Sequence, residues 1–258
     1  MQPEIVPVPA DLSSYVNNIL VLRSAGSAKT VLPFYADGYP GIIYQQSSKG
    51  IIRLPDNKPL SRFFAYGQTI QPIELVIEGD FLIVIFQLFP LTLLNLFGLN
   101  PQNLNDDCSD LRRIVETEGQ TIFDKLQLFA EPAELIAILS NFLRNSIKNN
   151  PRQLDQRIRK SVELIIAEKG TIPMKKVLEA ANCSERTFQR QFKNQIGVNP
   201  KQFARMIQFQ HSYMELIERE RATPELIFEN GFSDQSHFIK TIRRFTGETP
   251  SYHRKKDI

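Results

Sequence analysis

The sequence predicts an α+β chain, with a β-rich sandwich or barrel in front and an all-α domain behind. Three observations carry this. Short β-branched and aromatic runs recur at roughly ten-residue spacing through the first 80 positions, as in antiparallel β proteins. From Pro132 onward the apolar period becomes three and four residues, which is one face of a helix. A segment at 184–200 is echoed at 234–250, so the helical part contains an internal repeat.

Taken in order, residues 19–23, 41–45, 51–54, 62–66 and 73–77 read as strands, separated by turn formers such as Asp37-Gly38-Tyr39-Pro40 and Pro55-Asp56-Asn57. Their spacing suits antiparallel pairing rather than βαβ units. Residues 81–99 carry no charge and 14 of the 19 are apolar, a length that would reach across a bilayer. Against a span, Pro90 sits at the centre, where it would cost a helix about 3 kcal/mol. Gln87, Asn95 and Gly98 interrupt the run, and its flanks are acidic. The segment therefore reads as a buried strand to Phe89, a stop at Pro90 and a short helix through Phe97, with no membrane partner.

Leu135, Ile138, Leu139, Phe142 and Ile147 mark the first long amphipathic helix. The polar stretch Lys148-Asn149-Asn150-Pro151-Arg152 comes next and divides the chain into domains 1–150 and 151–258. Leu154, Ile158, Val162 and Ile165 then give a helix ending near Lys169-Gly170. A helix over about 200–220 has two adjoining stripes, Phe203, Ile207, Met214 and Ile217 beside Met206, Phe209, Tyr213 and Leu216. A stripe that wide suits a connector between two smaller units, at about 171–196 and 223–246.

Composition narrows the chemistry. Cys108 and Cys183 are far apart and lack metal-ligand spacing, so a reducing, cytoplasmic compartment is expected and a disulfide framework is not. The acids around Cys108 would raise its thiol pKa and reduce its reactivity. His211, His237 and His253 all fall behind residue 210; the front domain thus has no His-based metal site and no Ser-His-Asp chemistry. No cofactor, metal or enzymatic activity is expected. No Lys or Arg precedes Arg23, which argues against a signal peptide. Residues 1–150 hold 11 basic and 15 acidic side chains, a balance of −4, whereas 151–258 hold 20 and 13, a balance of +7. The back half is therefore suited to a polyanion. In front, Phe34, Tyr35, Tyr39, Tyr44, Phe63, Phe64 and Tyr66 read as core and loop aromatics, with a ligand pocket as the alternative.

Each copy of the repeat has the physics of a helix-turn-helix. Ser184-Glu185-Arg186-Thr187-Phe188 pairs with Asp234-Gln235-Ser236-His237-Phe238 at an offset of 50, and Gly197-Val198-Asn199-Pro200 with Gly247-Glu248-Thr249-Pro250. Upstream the offset is 49, pairing Asn182 with Gly231, which places a one-residue length change in the turn. Asn182 and Gly231 tolerate the left-handed conformation that ends a first helix. Ser184 and Asp234 are good N-caps for a second. Phe188 with Phe192, and Phe238 with Ile242, face inward. The outward face carries Arg186, Gln189, Arg190 and Lys193 in one copy and Gln235, Ser236, His237, Lys240 and Arg244 in the other. Such side chains read base edges and bind phosphates.

On these residues the chain resembles the AraC/XylS family of transcription regulators. The stretch Gly231-Phe232-Ser233-Asp234-Gln235-Ser236-His237-Phe238, closing with Gly247-Glu248-Thr249-Pro250-Ser251-Tyr252-His253-Arg254, is close to that family's C-terminal signature, and the match covers about 155–256. The resemblance implies two helix-turn-helix units on a linking helix, reading successive major grooves of double-stranded DNA. Position by position it implies base contacts from Arg186, Gln189 and Arg190, and from Gln235, Ser236, His237 and Lys240. The chain departs from the pattern at Leu178, Ile227, Ile242, Gln208 and Ser212. The front domain resembles, more loosely, the sensory domains of that family, often cupin-like; without histidines it would be a non-metal version. The resemblance further implies control of DNA binding, either by a small-molecule effector or by homodimerisation, with RNA polymerase as another partner. The alternative is a DNA-repair or modifying protein carrying the same DNA-binding domain.

Overall fold

A computed structural model describes residues 3–26, 28–150, 155–219 and 222–253. Pro151, Arg152, Leu154 and Arg254 lie outside them. The chain forms two compact units. One comprises Met1–Pro33, Tyr39–Gly67 and Ile73–Leu154; the other comprises Asp155–Ile258 together with the short segments Phe34–Gly38 and Gln68–Pro72.

In the first unit ten strands are described: β1 (Glu4–Val6), β2 (Val16–Ser24), β3 (Lys29–Phe34), β4 (Gly41–Ser47), β5 (Ile51–Leu54), β6 (Lys58–Leu60), β7 (Phe63–Tyr66), β8 (Ile73–Glu78), β9 (Phe81–Leu88) and β10 (Cys108–Asp110). They build a six-stranded sheet of order β1-β2-β9-β4-β7-β10 and a four-stranded sheet of order β3-β8-β5-β6. The pairings that the structure details are antiparallel. Register aligns Ile19, Phe86, Ile42 and Ala65 across four strands, with Val21, Val84, Tyr44 and Phe63 in the next row. These two rows are buried together with α3 (Glu116–Leu126) and α4 (Pro132–Asn149) through Phe123, Leu135, Leu139 and Phe142. Phe142 sits 5.9 Å from Phe63 and stacks at 5.5 Å on Phe97. The opposite sheet face is also apolar and buried at Ile43, Phe64, Ile83 and Ile85. Double burial explains why β4 and β9 show no alternation in sequence.

The uncharged run from Phe81 splits into β9, a break at Pro90 and helix α1 (Thr92–Phe97), which ends on left-handed Gly98, and a one-turn α2 (Leu111–Ile114) follows β10. Among the described residues no helix is long and apolar enough to cross a membrane.

The second unit begins with α5 (Gln156–Ala167), capped by Asp155, whose side chain accepts from the Arg157 N–H. It continues with α6 (Met174–Ala181), α7 (Glu185–Ile196), α8 (Pro200–Arg219), α9 (Pro224–Glu229), α10 (Gln235–Thr246) and a short α11 (Pro250–His253). Gly170, at φ 74°, lets α8 approach: a Cβ there would lie 2.1 Å from the Ala204 carbonyl oxygen. In α8, Phe203, Met206, Ile207, Phe209 and Leu216 are buried, but Met214 is 50% exposed. The face expected to run from Phe203 to Ile217 is thus covered over the first half of the helix and open at Met214. Tyr35, expected among core and loop aromatics, lies in this unit, 5.5 Å from Tyr213 and 6.0 Å from His253.

Candidate nucleic-acid interface

Each helix pair is closed by local chemistry. Helix α6 stops at Asn182, which adopts φ 47° and ψ 48°, and Ser184 Oγ accepts from the Thr187 N–H at 3.3 Å to start α7. In the second unit Thr223 caps α9 by accepting from the Leu226 N–H, Gly231 turns at φ 73°, and Asp234 Oδ1 accepts from the His237 N–H at 2.8 Å. That amide, and next the Ser233 hydroxyl, hold the Asp234 carboxyl below its ordinary range. Counted from the matched left-handed residues Asn182 and Gly231, three positions (182–184) precede α7 and four (231–234) precede α10, a difference of one. The length change therefore lies in the turn, where neither helix face is disturbed.

Behind the turns sit aromatic anchors. Phe188 and Phe192 are buried with ring centroids 5.6 Å apart, and Phe192 meets Phe203 of α8 at 5.7 Å. Phe238, Ile242 and Phe245 are buried in α10, and Phe245 meets Phe209 of α8 at 4.8 Å. One linking helix thus carries both pairs.

Inward anchors four residues apart leave the remaining face of each helix in water. Arg186, Gln189, Arg190 and Lys193 of α7 are exposed, as are Gln235, Ser236, His237, Lys240 and Arg244 of α10. A groove of about 630 Å³ runs beside α7, lined by Glu185, Arg186, Gln189, Arg190, Lys193 and Asn199. The side chains of Arg186, Arg190, Lys193 and Lys240 make no hydrogen bond or ion pair among the described residues. Others are engaged: Gln189 Nε2 donates to Glu185 Oε1 at 2.9 Å, His237 Nδ1 lies 3.4 Å from Ser233 Oγ with its ring edge-on to Phe232, and Arg244 lies over the Phe245 ring.

One cluster went unread in the sequence. Asn230, at 3% exposure, gathers Gln208, His211 and Glu215 of α8 around the turn of the second pair. A buried asparagine just ahead of a turn glycine is the only signal for it in the chain. Cys183 is half-buried in the first turn, where the second pair places the buried Phe232. Burial pushes the Cys108 thiol up, opposed by Lys58 and Arg53 and reinforced by Asp107 and Asp56; the neighbouring acids expected to dominate are secondary. No group of three or more His, Cys, Asp or Glu side chains able to hold a metal ion occurs among the described residues.

Two capped helix pairs on a shared helix define a double helix-turn-helix domain. Residues 177–256 match the family described as Helix-turn-helix domain, and residues 4–110 match one described as Domain of unknown function (DUF6597). The HTH-type transcriptional activator RhaR of Escherichia coli K12 is 27% identical over 122 residues, covering 47% of this chain and 43% of RhaR; RhaR of Shigella flexneri serotype 5b gives the same figures. The chain thus matches less than half the length of these relatives. A crystal structure of ToxT from Vibrio cholerae O395 bound to (E)-4-(8-methylnaphthalen-1-yl)but-3-enoic acid aligns with TM-score 0.50 and 13% identity, over 92% of this chain and 97% of ToxT. That likeness is one of fold, a β-rich domain followed by a helical one. The C-terminal part of this chain is a helix-turn-helix domain.

Proposed function

We propose that the protein is a sequence-specific DNA-binding transcription regulator that reads two successive major grooves with α7 and α10. The observation that carries this reading is the pair of anchored helices on α8, each turning an unburied polar face outward. In this reading Arg186, Gln189 and Arg190 contact bases from the first unit, and Gln235, Ser236, His237 and Lys240 from the second. Lys193 and Arg244 serve the phosphates, where affinity comes from counterion release. Arginine and glutamine suit this work because each can present two polar atoms in one plane to a base edge. Selection of bound duplexes from a random pool by the full chain tests it: two conserved half-sites about one helical turn apart are expected. Enrichment of no sequence at low salt would overturn it.

The front unit controls this binding through a small ligand or through dimerisation. The ligand version has support in an open surface depression of about 510 Å³ whose lining includes Tyr44, Gln46, Arg62, Asp80 and Gln127, and in the small carboxylic acid bound to ToxT, a chain of this fold. A ligand shifts DNA affinity only by its difference in affinity for two states of the protein. A thermal-shift screen against metabolites separates the versions. A hit supports sensing, while no hit together with a concentration-dependent mass supports the dimer.

A further inference from the structure

We infer that Asn230 is the positioning residue of the second reading helix, held by Gln208, His211 and Glu215 as a polar hub that the first unit lacks. The inference rests on the DNA-reading function proposed for α7 and α10.

Every polar atom of the Asn230 side chain is used. Its Nδ2 donates to Glu215 Oε2 at 2.9 Å and to the Leu226 carbonyl at 2.9 Å, and its Oδ1 lies 3.1 Å from His211 Nδ1. The Asn230 backbone oxygen accepts from Gln208 Nε2 at 2.8 Å. Residues 208, 211 and 215 stand three and four apart, hence on one face of α8, and all converge on one buried residue. An amide is what this place requires, because it donates to a carboxylate and accepts from an imidazole N–H at the same time. Arg219 extends the hub, bridging Glu215 at 3.5 Å and Glu229 of α9 at 3.3 Å.

The equivalent position in the first unit, by the 49-residue offset, is Ala181, fully buried and without a polar atom in its side chain. Apolar contacts tolerate sliding, whereas hydrogen bonds weaken steeply once misaligned, and a fully satisfied buried network favours one arrangement. The hub therefore fixes the angle at which α9 leaves α8. Through the turn at Gly231, it also fixes where Gln235, His237 and Lys240 point. Losing it would cost the second unit its register on DNA and leave the first unit's reading intact.

The test is Asn230→Asp in the full chain, which keeps the shape but sets a carboxylate against Glu215 and removes the donor. Footprinting is expected to show protection shrinking to the segment read by α7, with base preferences there unchanged and affinity lower by on the order of a hundredfold. Adding Glu215→Gln restores a donor to face the new carboxylate and should recover the second protected segment. Full two-segment protection by the single variant overturns the inference, and so does a double variant no better than the single one. If Asn230→Asp fails to unfold cooperatively, Gln208→Met removes one hub bond at a half-buried site. Weaker protection confined to the second segment then supports the hub, and an unchanged footprint overturns it. Failure of the unaltered protein to bind any duplex would instead refute the DNA-reading function itself.

Discussion

The two helix-turn-helix units share a design and differ in charge and attachment. Residues 174–201 carry six basic and two acidic side chains, a balance of +4, whereas residues 224–250 carry three and four, a balance of −1. Helix α7 is fastened to α8 by a Phe192–Phe203 ring contact, and its neighbour α6 ends in buried Ala181. Helix α10 also has a ring contact, Phe209–Phe245, but α9 beside it is held by the Asn230 hub. A duplicated motif has thus diverged into a basic unit and a nearly neutral one, and under the proposed function the extra positive charge lets the first unit hold DNA to higher salt.

The largest effects should come from the anchors. Phe192→Ala or Phe238→Ala empties a fully enclosed aromatic site and should cost about 3–5 kcal/mol, read by chemical denaturation. Amide exchange should place the first loosening in the unit that was cut. A smaller effect, about 1–3 kcal/mol in binding, is expected for Arg190→Ala or Gln189→Ala, with relaxed preference at the contacted base. Lys193→Ala should instead weaken all duplexes alike and flatten the salt slope by about 1. If neutralising Lys240 and Arg244 flattened the slope as much as neutralising Arg190 and Lys193, the first unit would hold no advantage at the phosphates, and the comparison would break there.

The smallest effects lie at the caps, and they separate the units by pH. Ser184→Ala should cost about 1 kcal/mol at any pH where the protein is folded, because a hydroxyl does not titrate there. Asp234 has its carboxyl pKa lowered by the His237 amide. A lowered folded-state pKa contributes stability above the unfolded value, about 3.9, and that contribution is lost as pH falls through the folded value. Acid should therefore fray the start of α10 before that of α7, and exchange at the His237 and Thr187 amides would report it. Equal protection at both caps through the acid limb would remove this distinction.

Much of this architecture was legible in the chain, and what escaped has a common cause. All six interior strands, β2, β4, β5, β7, β8 and β9, coincide with β-branched or aromatic runs, because residues buried among neighbours must be apolar. The strands that escaped, β1, β3, β6 and β10, are the four sheet edges. Two of them contain proline, Pro33 in β3 and Pro59 in β6, and edges tolerate proline because one side needs no ladder partner. Helix α3 escaped because Gly119 interrupts its pattern; that glycine lies where a Cβ would meet the Leu111 carbonyl oxygen at 2.5 Å. At the interface, the Ser184 and Asp234 caps, the turn conformations and the outward faces were readable because they depend on residues within one or two helical turns, whereas the Thr223 cap of α9 was not expected. The Asn230 hub was not, since it joins residues 15 to 22 positions apart through geometry that no short-range pattern encodes.

Hydroxyl-radical footprinting of the full chain on a selected duplex tests the central claim most directly. Two protected segments on one face of the DNA, about 10 base pairs apart, are expected, with the segment under α7 surviving higher salt than the one under α10. Protection of a single segment that Arg190→Ala leaves unchanged, or none at low ionic strength, would contradict it.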